Sequence, residues 1–234
     1  MPYTYLIVVR YKWWAVPFAF LSMALFNLPL WFKKAIPFYK LMGCGRNGTF
    51  DKSPDLRQWC ILFTSDALHA SPYKLLGPFV NFWFKVFTYE QASITLGTLT
   101  SHGEWEKTNP FGNPKLSYSK GTLAVLTRAN INWSKMKNFW QHVDGVAQTL
   151  KQSKGFIKSI GIGEIPWKKQ ATISFWQNEE SMKQFAYKQR EHAEVVEKTR
   201  KEKWYREDLF CRFSVVAASG HLAGFNWGDL VTAT

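Results

Sequence analysis

Acidic residues are scarce in this 234-residue chain: 17 Asp and Glu stand against 30 Lys and Arg, a formal charge of +13. That shortage excludes an acidic solvating chain and calls for an anionic counterpart: a nucleic acid, a phospholipid surface or an acidic redox partner. Cysteine is scarcer still. Cys44, Cys60 and Cys211 are an odd number with no CxxC spacing and no zinc-finger pattern, which argues against a disulfide framework or a structural zinc. The chain lacks a GxSxG elbow, an HExxH helix and a Walker A loop, and its GCGRNG and GIGEIP runs are poor dinucleotide fingerprints because neither opens a helix. It also lacks an RNP1-like run, and the stretch KQREHAEVVEKTRKEKWYRED alternates in sign, so no nucleic-acid partner is expected. The start MPYTYLIVVRYK has no basic n-region, apolar h-region or cleavage site. A cytoplasmic location is therefore expected, with peripheral attachment to the inner face of the membrane as a variant of it.

What the chain has in quantity is apolar surface. Hydrophobic residues make up 46%, with 12 Trp, 9 Tyr and 19 Phe, enough to exclude wholesale disorder. The longest apolar run, Trp13 to Phe32, has the length of a bilayer span. Pro17, Pro29, Ser22 and Asn27 speak against a span, and so does the place of this run in an internal repeat.

The repeat is carried by FYKLMGCG at Phe38–Gly45 and FIKSIGIG at Phe156–Gly163, offset by 118 residues. Periodicity around each copy predicts the same order of elements. The first half reads as strand 3–10, helix 17–32, strand 37–43, strand 59–64, helix 72–88 and strand 92–99. The second reads as strand 122–128, helix 134–150, strand 156–161, strand 171–176, helix 179–203 and strand 210–216. Each is β-α-β-β-α-β, the ferredoxin-like unit. The expected fold is α+β: two tandem ferredoxin-like repeats forming an α+β barrel with helices outside, and a pocket either between the sheets or between a sheet and its helices. The expected division is a first repeat at 1–100, a linker at 101–121, a second repeat at 122–217 and a C-terminal tail at 218–234. The second GxG run, GIGEIP, ends in Pro166, and its glycine pair is expected at a strand bulge or tight turn.

Five histidines are the chemistry-bearing candidates. His192 has Phe185 seven residues before it and Val195, Val196 and Thr199 three, four and seven after it, which puts its imidazole on an apolar helix stripe. A neutral imidazole held on a rigid helix before an apolar pocket is what an axial haem ligand requires, with Val196 beside it; a hydrogen-bonded core histidine is the competing reading. His142, on the edge of the stripe formed by Trp133, Met136, Trp140, Val143, Ala147 and Leu150, is the second choice of metal ligand. His102 lies in the connecting SHGEW, and His69 and His221 read as loop residues. Arg128, ending a strand, is placed to reach into a barrel toward a propionate or bound oxygen, or else to lie solvated.

Three runs together resemble a known family: TRANINWSKMKNFWQHV from Thr127, KGFIKSIGIGEIPWKKQATISFW from Lys154, and MKQFAYKQREHAEVVEKTRKEKWYREDLFCRF from Met182. With FYKLMGCGRNGTF, WCILFTSD and LTSHGEWEKTNPF in the first half, they resemble the spheroidene monooxygenase family of carotenoid ketolases over nearly the whole chain. The resemblance implies a dimeric α+β barrel related to chlorite dismutase and aldoxime dehydratase, and haem- and oxygen-dependent oxidation of a carotenoid or other apolar substrate. It implies His192 as the iron ligand, Arg128 and Val196 beside the cofactor, Arg128 and Trp140 as catalytic residues, an external electron donor, a homodimer and contact with an anionic membrane surface. The alternatives are a non-catalytic haem or hydrophobic-ligand binding protein, a haem dehydratase, or a cofactor-free monooxygenase on the same barrel.

Overall fold

In the first strand, β1 (Tyr3–Tyr11), the residues from Thr4 to Val9 are all buried, but alternate side chains go to different places. Leu6 and Val8 join an interior cluster with Leu62, Leu96, Leu126, Ile173 and Phe213. Tyr5, Ile7, Val9 and Tyr11 pack the other way, against the helices. A strand buried on both faces, one turned toward a closed interior and one toward helices, is a barrel wall.

That wall is closed. The computed structural model describes residues 2–46, 48–49, 52–112, 121–188, 199 and 201–232. Its strands are β1, β2 (Phe38–Gly45), β3 (Pro54–Ser65), β4 (Thr88–Gly103), β5 (Leu123–Ile131), β6 (Phe156–Ile165), β7 (Lys169–Trp176), β8 (Tyr205–Leu222) and the short β9 (Phe225–Asn226). Their order is β4-β1-β3-β2-β6-β7-β5-β8-β9, and the additional pairing of β4 with β8 closes the first eight into an antiparallel α+β barrel. Closure pairs each of these eight strands on both sides, except where neighbours part.

The halves meet at two places, and one is the repeated motif itself. Gly43 pairs with Gly163 and Cys44 with Ile162, so each half offers its GxG run to the other. Pairing shifts register beside both runs, between Gly43 and Cys44 on β2 and between Gly163 and Ile165 on β6, as expected of strand bulges. At Gly161 a Cβ would stand 1.7 Å from the Thr49 carbonyl oxygen, so only glycine lets that loop cross the strand.

The helices cover the outside. α1 (Val16–Leu25), with Pro17 in its first turn, and α2 (Asn27–Trp31) replace the single helix expected at 17–32. The helix expected at 72–88 divides into α3 (Pro72–Leu76) and α4 (Pro78–Phe87), because Gly77 at φ 87° and the following Pro78 interrupt it. In the second half α5 (Met136–Gln152) lays Phe139, Trp140, Val143 and Leu150 on the sheet, while Trp133 sits in a preceding 3₁₀ turn with its ring exposed. α6 (Glu179–Lys183) starts on an Asn178 cap that accepts from the Ser181 amide at 2.9 Å, then runs into a π turn at Gln184–Lys188. Most of the remainder of the helix expected to reach Lys203 lies outside the described residues, and Lys203 itself stands in a turn at φ 52°.

Both long strands overrun the expected boundaries: β4 reaches Gly103 and β8 reaches Leu222, because closing the barrel pairs them from Gln91–His221 to Gly103–Leu209. The segment expected to be a plain linker sends Trp105 and Phe111 into the interior cluster, and the segment expected to be a tail sends Trp227 and Leu230 there through α7 (Asp229–Thr232). The interior is thus packed with side chains, and the cavity lies elsewhere.

Candidate active site

Beyond the Gly43–Gly163 pair, β2 and the β6–β7 hairpin part company. Pro166, which has no amide hydrogen to donate, stands in that hairpin and helps keep it from extending the ladder. Over the resulting gap lies a cleft of about 920 Å³, within the range of small-molecule sites. One wall is the α1–α2 pair with Phe20, Met23, Asn27 and Trp31, the floor is β2 from Phe38 to Gly45, and the far side is Leu56, Trp59 and Trp167. Phe20 meets Trp59 edge to face at 5.0 Å between ring centres, a geometry that stabilises both rings and leaves flat apolar faces beside them. Trp167 is fixed from behind: its carbonyl accepts from Trp140 Nε1 at 3.2 Å and its own Nε1 donates to the Lys52 carbonyl at 3.3 Å.

At its inner end the cleft reaches a cluster of charge in the barrel mouth. Lys40 Nζ lies 2.7 Å from Glu106 Oε2 and 3.4 Å from Glu164 Oε2. Glu164 Oε1 accepts from Trp105 Nε1 at 3.0 Å and lies 3.4 Å from Arg128 Nη2. Arg128 also pairs with Glu207, donates to the Glu104 carbonyl, and stacks its guanidinium 4.8 Å from the Trp105 ring. Lys169 completes the cluster against Glu106 at 3.3 Å. Three cations and three carboxylates balance, which lets so much charge stand where all but the half-exposed Glu106 and the Lys169 at its rim are largely shielded from water. The Lys40 ammonium holds the Glu106 carboxyl below the usual carboxylate range, against a smaller opposing push from burial. Burial is the largest single influence on Glu207 and raises its pKa, but the amides of Lys107 and Glu106 and the Arg128 guanidinium outweigh it, and the net shift is downward.

Comparison with known proteins bears on this arrangement. No protein-family model matches the chain. The spheroidene monooxygenase of Cereibacter sphaeroides is 29% identical over 199 residues, 84% of this chain and 61% of that one. The spheroidene monooxygenase of Rhodobacter capsulatus is 29% identical over 213 residues, 90% of this chain and 88% of that one. That of Rubrivivax gelatinosus is 25% identical over 193 residues. The chain is thus similar to spheroidene monooxygenases over most of its length. It spans under two thirds of the Cereibacter relative's length. A solved aldoxime dehydratase superposes with a TM-score of 0.57 at 10% identity, covering 92% of this chain and 81% of the other, which is a likeness of fold alone.

Within this barrel, the described residues among those singled out from sequence do not gather in one place. Arg128 does project into the barrel and is only 1% exposed, but its guanidinium is committed to Glu164 and Glu207 and is not free for a propionate or oxygen. Trp140 lies over the opposite face of the sheet, on the inner side of α5 with Phe139 and against Ala129, and touches the cleft by holding Trp167. His142 places Nδ1 2.7 Å from the Asn138 carbonyl oxygen and its ring against Trp204, on the helix-covered outside. His192 and Val196 lie outside the described residues. His69 meets Ser65 at 3.4 Å, and His102 and His221 are exposed on β4 and β8.

The described residues around the cleft do not fit a haem: no histidine lines it, and among the described residues no three His, Cys, Asp or Glu side chains cluster as a metal site. Two residues of the site were missed from sequence although a signal for them existed. Lys40 is the lysine of the repeated FYKLMGCG motif, and Glu164 directly follows the GxG of the second copy.

Proposed function

We propose that this protein is an oxygen-dependent monooxygenase, an oxidoreductase that inserts one atom of dioxygen into an extended apolar substrate of the carotenoid class held in the cleft. Its family relatives, each named a spheroidene monooxygenase, support the reaction class. The observation that carries the substrate class is the cleft itself, in which Phe20, Met23, Trp31, Leu56, Trp59 and Trp167 lead inward to Lys40, Glu106 and Glu164. The second oxygen atom leaves as water, using two electrons from an external donor and two protons.

In this reading Phe20, Trp59 and Trp167 bind and align a flat conjugated chain, since aromatic faces gain from stacking and lose little rotamer entropy on binding. Trp105 and Phe38, edge to face at 5.5 Å, keep water from the inner end. Lys40 Nζ and Glu164 Oε2 hold and pass the protons the reaction consumes. A haem would supply the activation of dioxygen, and His192 and Val196 of the family-like HAEVVEKTR segment would hold it; the described cleft lining offers it no ligand, and none of these steps is routed through it.

The test is turnover of a linear carotenoid in micelles with a reductant and isotopically heavy dioxygen. Heavy oxygen in the product is the expected result. Binding without product would leave a ligand carrier, and turnover without dioxygen a dehydratase. Glu164→Gln is expected to lower kcat about a hundredfold with KM little changed, as loss of a proton-transfer group does. Haem dependence is read separately, by titrating haemin into the wild type, His192→Ala and His142→Ala and following the Soret band. No Soret band in any of them would remove the haem.

A further inference from the structure

The first 50 residues of the chain hold no Asp or Glu, and neither does the stretch from 67 to 89. These two stretches make the whole helix layer of the first half, α1 to α4, so that layer carries Lys12, Lys33, Lys34, Lys74 and Lys85 with no acid to balance them. The helix layer of the second half mixes both signs.

The same layer is apolar on its outside. Trp13–Trp31 is 19 residues long with a mean hydropathy of 1.4, yet only 28% of its apolar window is buried. The sheet takes one stripe, Ala15, Ala19, Ser22, Phe26 and Leu30. What remains outward includes Trp13 and Trp31, each 78% exposed, Phe32 at 75% and Leu28 at 69%. Phe79 of α4 extends the surface, its ring 6.1 Å from Phe26. So much exposed apolar surface on one helix layer marks an interaction site.

Three observations identify the occupant as a lipid surface. Tryptophans at the ends of an apolar helix pair with Lys33 and Lys34 just beyond is the pattern of a segment lying at the headgroup boundary of an anionic bilayer. The segment is tied to the barrel, Tyr11 donating to Ser22 Oγ at 3.1 Å and Tyr39 to Asn27 Oδ1 at 3.2 Å, so it rests on a membrane and does not cross one. Finally, Phe20 and Trp31 belong both to this surface and to the cleft.

We propose that α1 and α2, with the outer side of α4, dock on an anionic bilayer with the cleft mouth at the acyl boundary, so that substrate passes from lipid to cleft without entering water. The docking rests on the surface alone; the route of entry also rests on the cleft being the substrate site.

The test is flotation of the full chain with vesicles of phosphatidylcholine alone or mixed with phosphatidylglycerol. Binding to the mixed vesicles, weakened by salt, is expected. The triple variant Trp13→Ser, Trp31→Ser, Phe32→Ser should weaken it on the order of a hundredfold, from the loss of three inserted side chains. Lys33→Glu with Lys34→Glu should abolish the preference for the anionic lipid, and Val216→Ser, an exposed apolar residue on β8, should change nothing. Retained thermal unfolding midpoints establish that the variants are folded. No flotation, or equal flotation of the triple variant, overturns docking. Resistance to extraction by alkaline carbonate would mean a spanning segment, and a dimer that dissociates in the triple variant without vesicle binding in the wild type would mean a second copy; either overturns the proposal. Turnover of micellar substrate without vesicle binding would sink docking and leave the enzyme reading standing, while vesicle binding without turnover would do the reverse.

Discussion

Arg128 is the residue on which the barrel mouth turns. It is the cation between Glu164 and Glu207 and lies flat against Trp105, and its Nε is buried without a hydrogen-bond partner, so the other nitrogens must satisfy the charge. Removing it would leave two shielded carboxylates short of a cation. Arg128→Ala is expected to cost about 3–5 kcal/mol of stability, and Arg128→Lys to recover only part, because a lysine cannot fork to two carboxylates or stack on an indole. Urea unfolding of both variants checks this, and a loss below about 1 kcal/mol for the alanine would put the arginine in the weak class of exposed ion pairs. The inward direction of Arg128 was legible in the sequence, since it alternates in step with Ala124 and Leu126, both interior. Its partners were not, because Glu164 and Glu207 lie 36 and 79 residues away and reach it only through barrel closure.

At the scale of elements, two glycines predict opposite outcomes. Gly161 on β6 has the Thr49 carbonyl where a Cβ would go, whereas a Cβ on Gly145 in α5 would meet nothing within 4 Å. Gly161→Ala should destabilise by about 1–3 kcal/mol through displacement of the loop that crosses the strand, and Gly145→Ala should stabilise by about 0.5–1 kcal/mol by lowering the entropy of the unfolded chain. Chemical denaturation of the pair decides, and a common sign would contradict the placement of the loop. The element order was readable because each strand contains a β-rich run and α5 has a clear apolar stripe, both local signals. The break at Gly77–Pro78 was also written in the sequence and was overridden by the apolar run on either side of it. The meeting of the two GxG motifs was not readable. A repeat reveals that two segments are alike, and only strand register reveals that they pair with each other and then part to open a cleft.

For the whole molecule, closing eight strands places the mouth of the barrel under a single ionic cluster built from β2, β5, β6, β7, β8 and the turn after β4, so its protonation bears on the entire closure. Glu106 and Glu207 both have pKa values held below the ordinary carboxylate value in the folded state. The unfolded chain therefore binds these protons at higher pH than the folded one does. Their contribution to stability is complete above the unfolded carboxylate pKa and is lost as pH falls through the folded values. Glu106→Gln with Glu207→Gln should accordingly lower stability at neutral pH and flatten its decline through the acid range, bringing the two profiles together at the lowest pH. Urea midpoints of wild type and double variant, measured from neutral pH downward, give the comparison. Profiles that stay parallel throughout would mean that the acid sensitivity of the barrel arises from carboxylates away from its mouth.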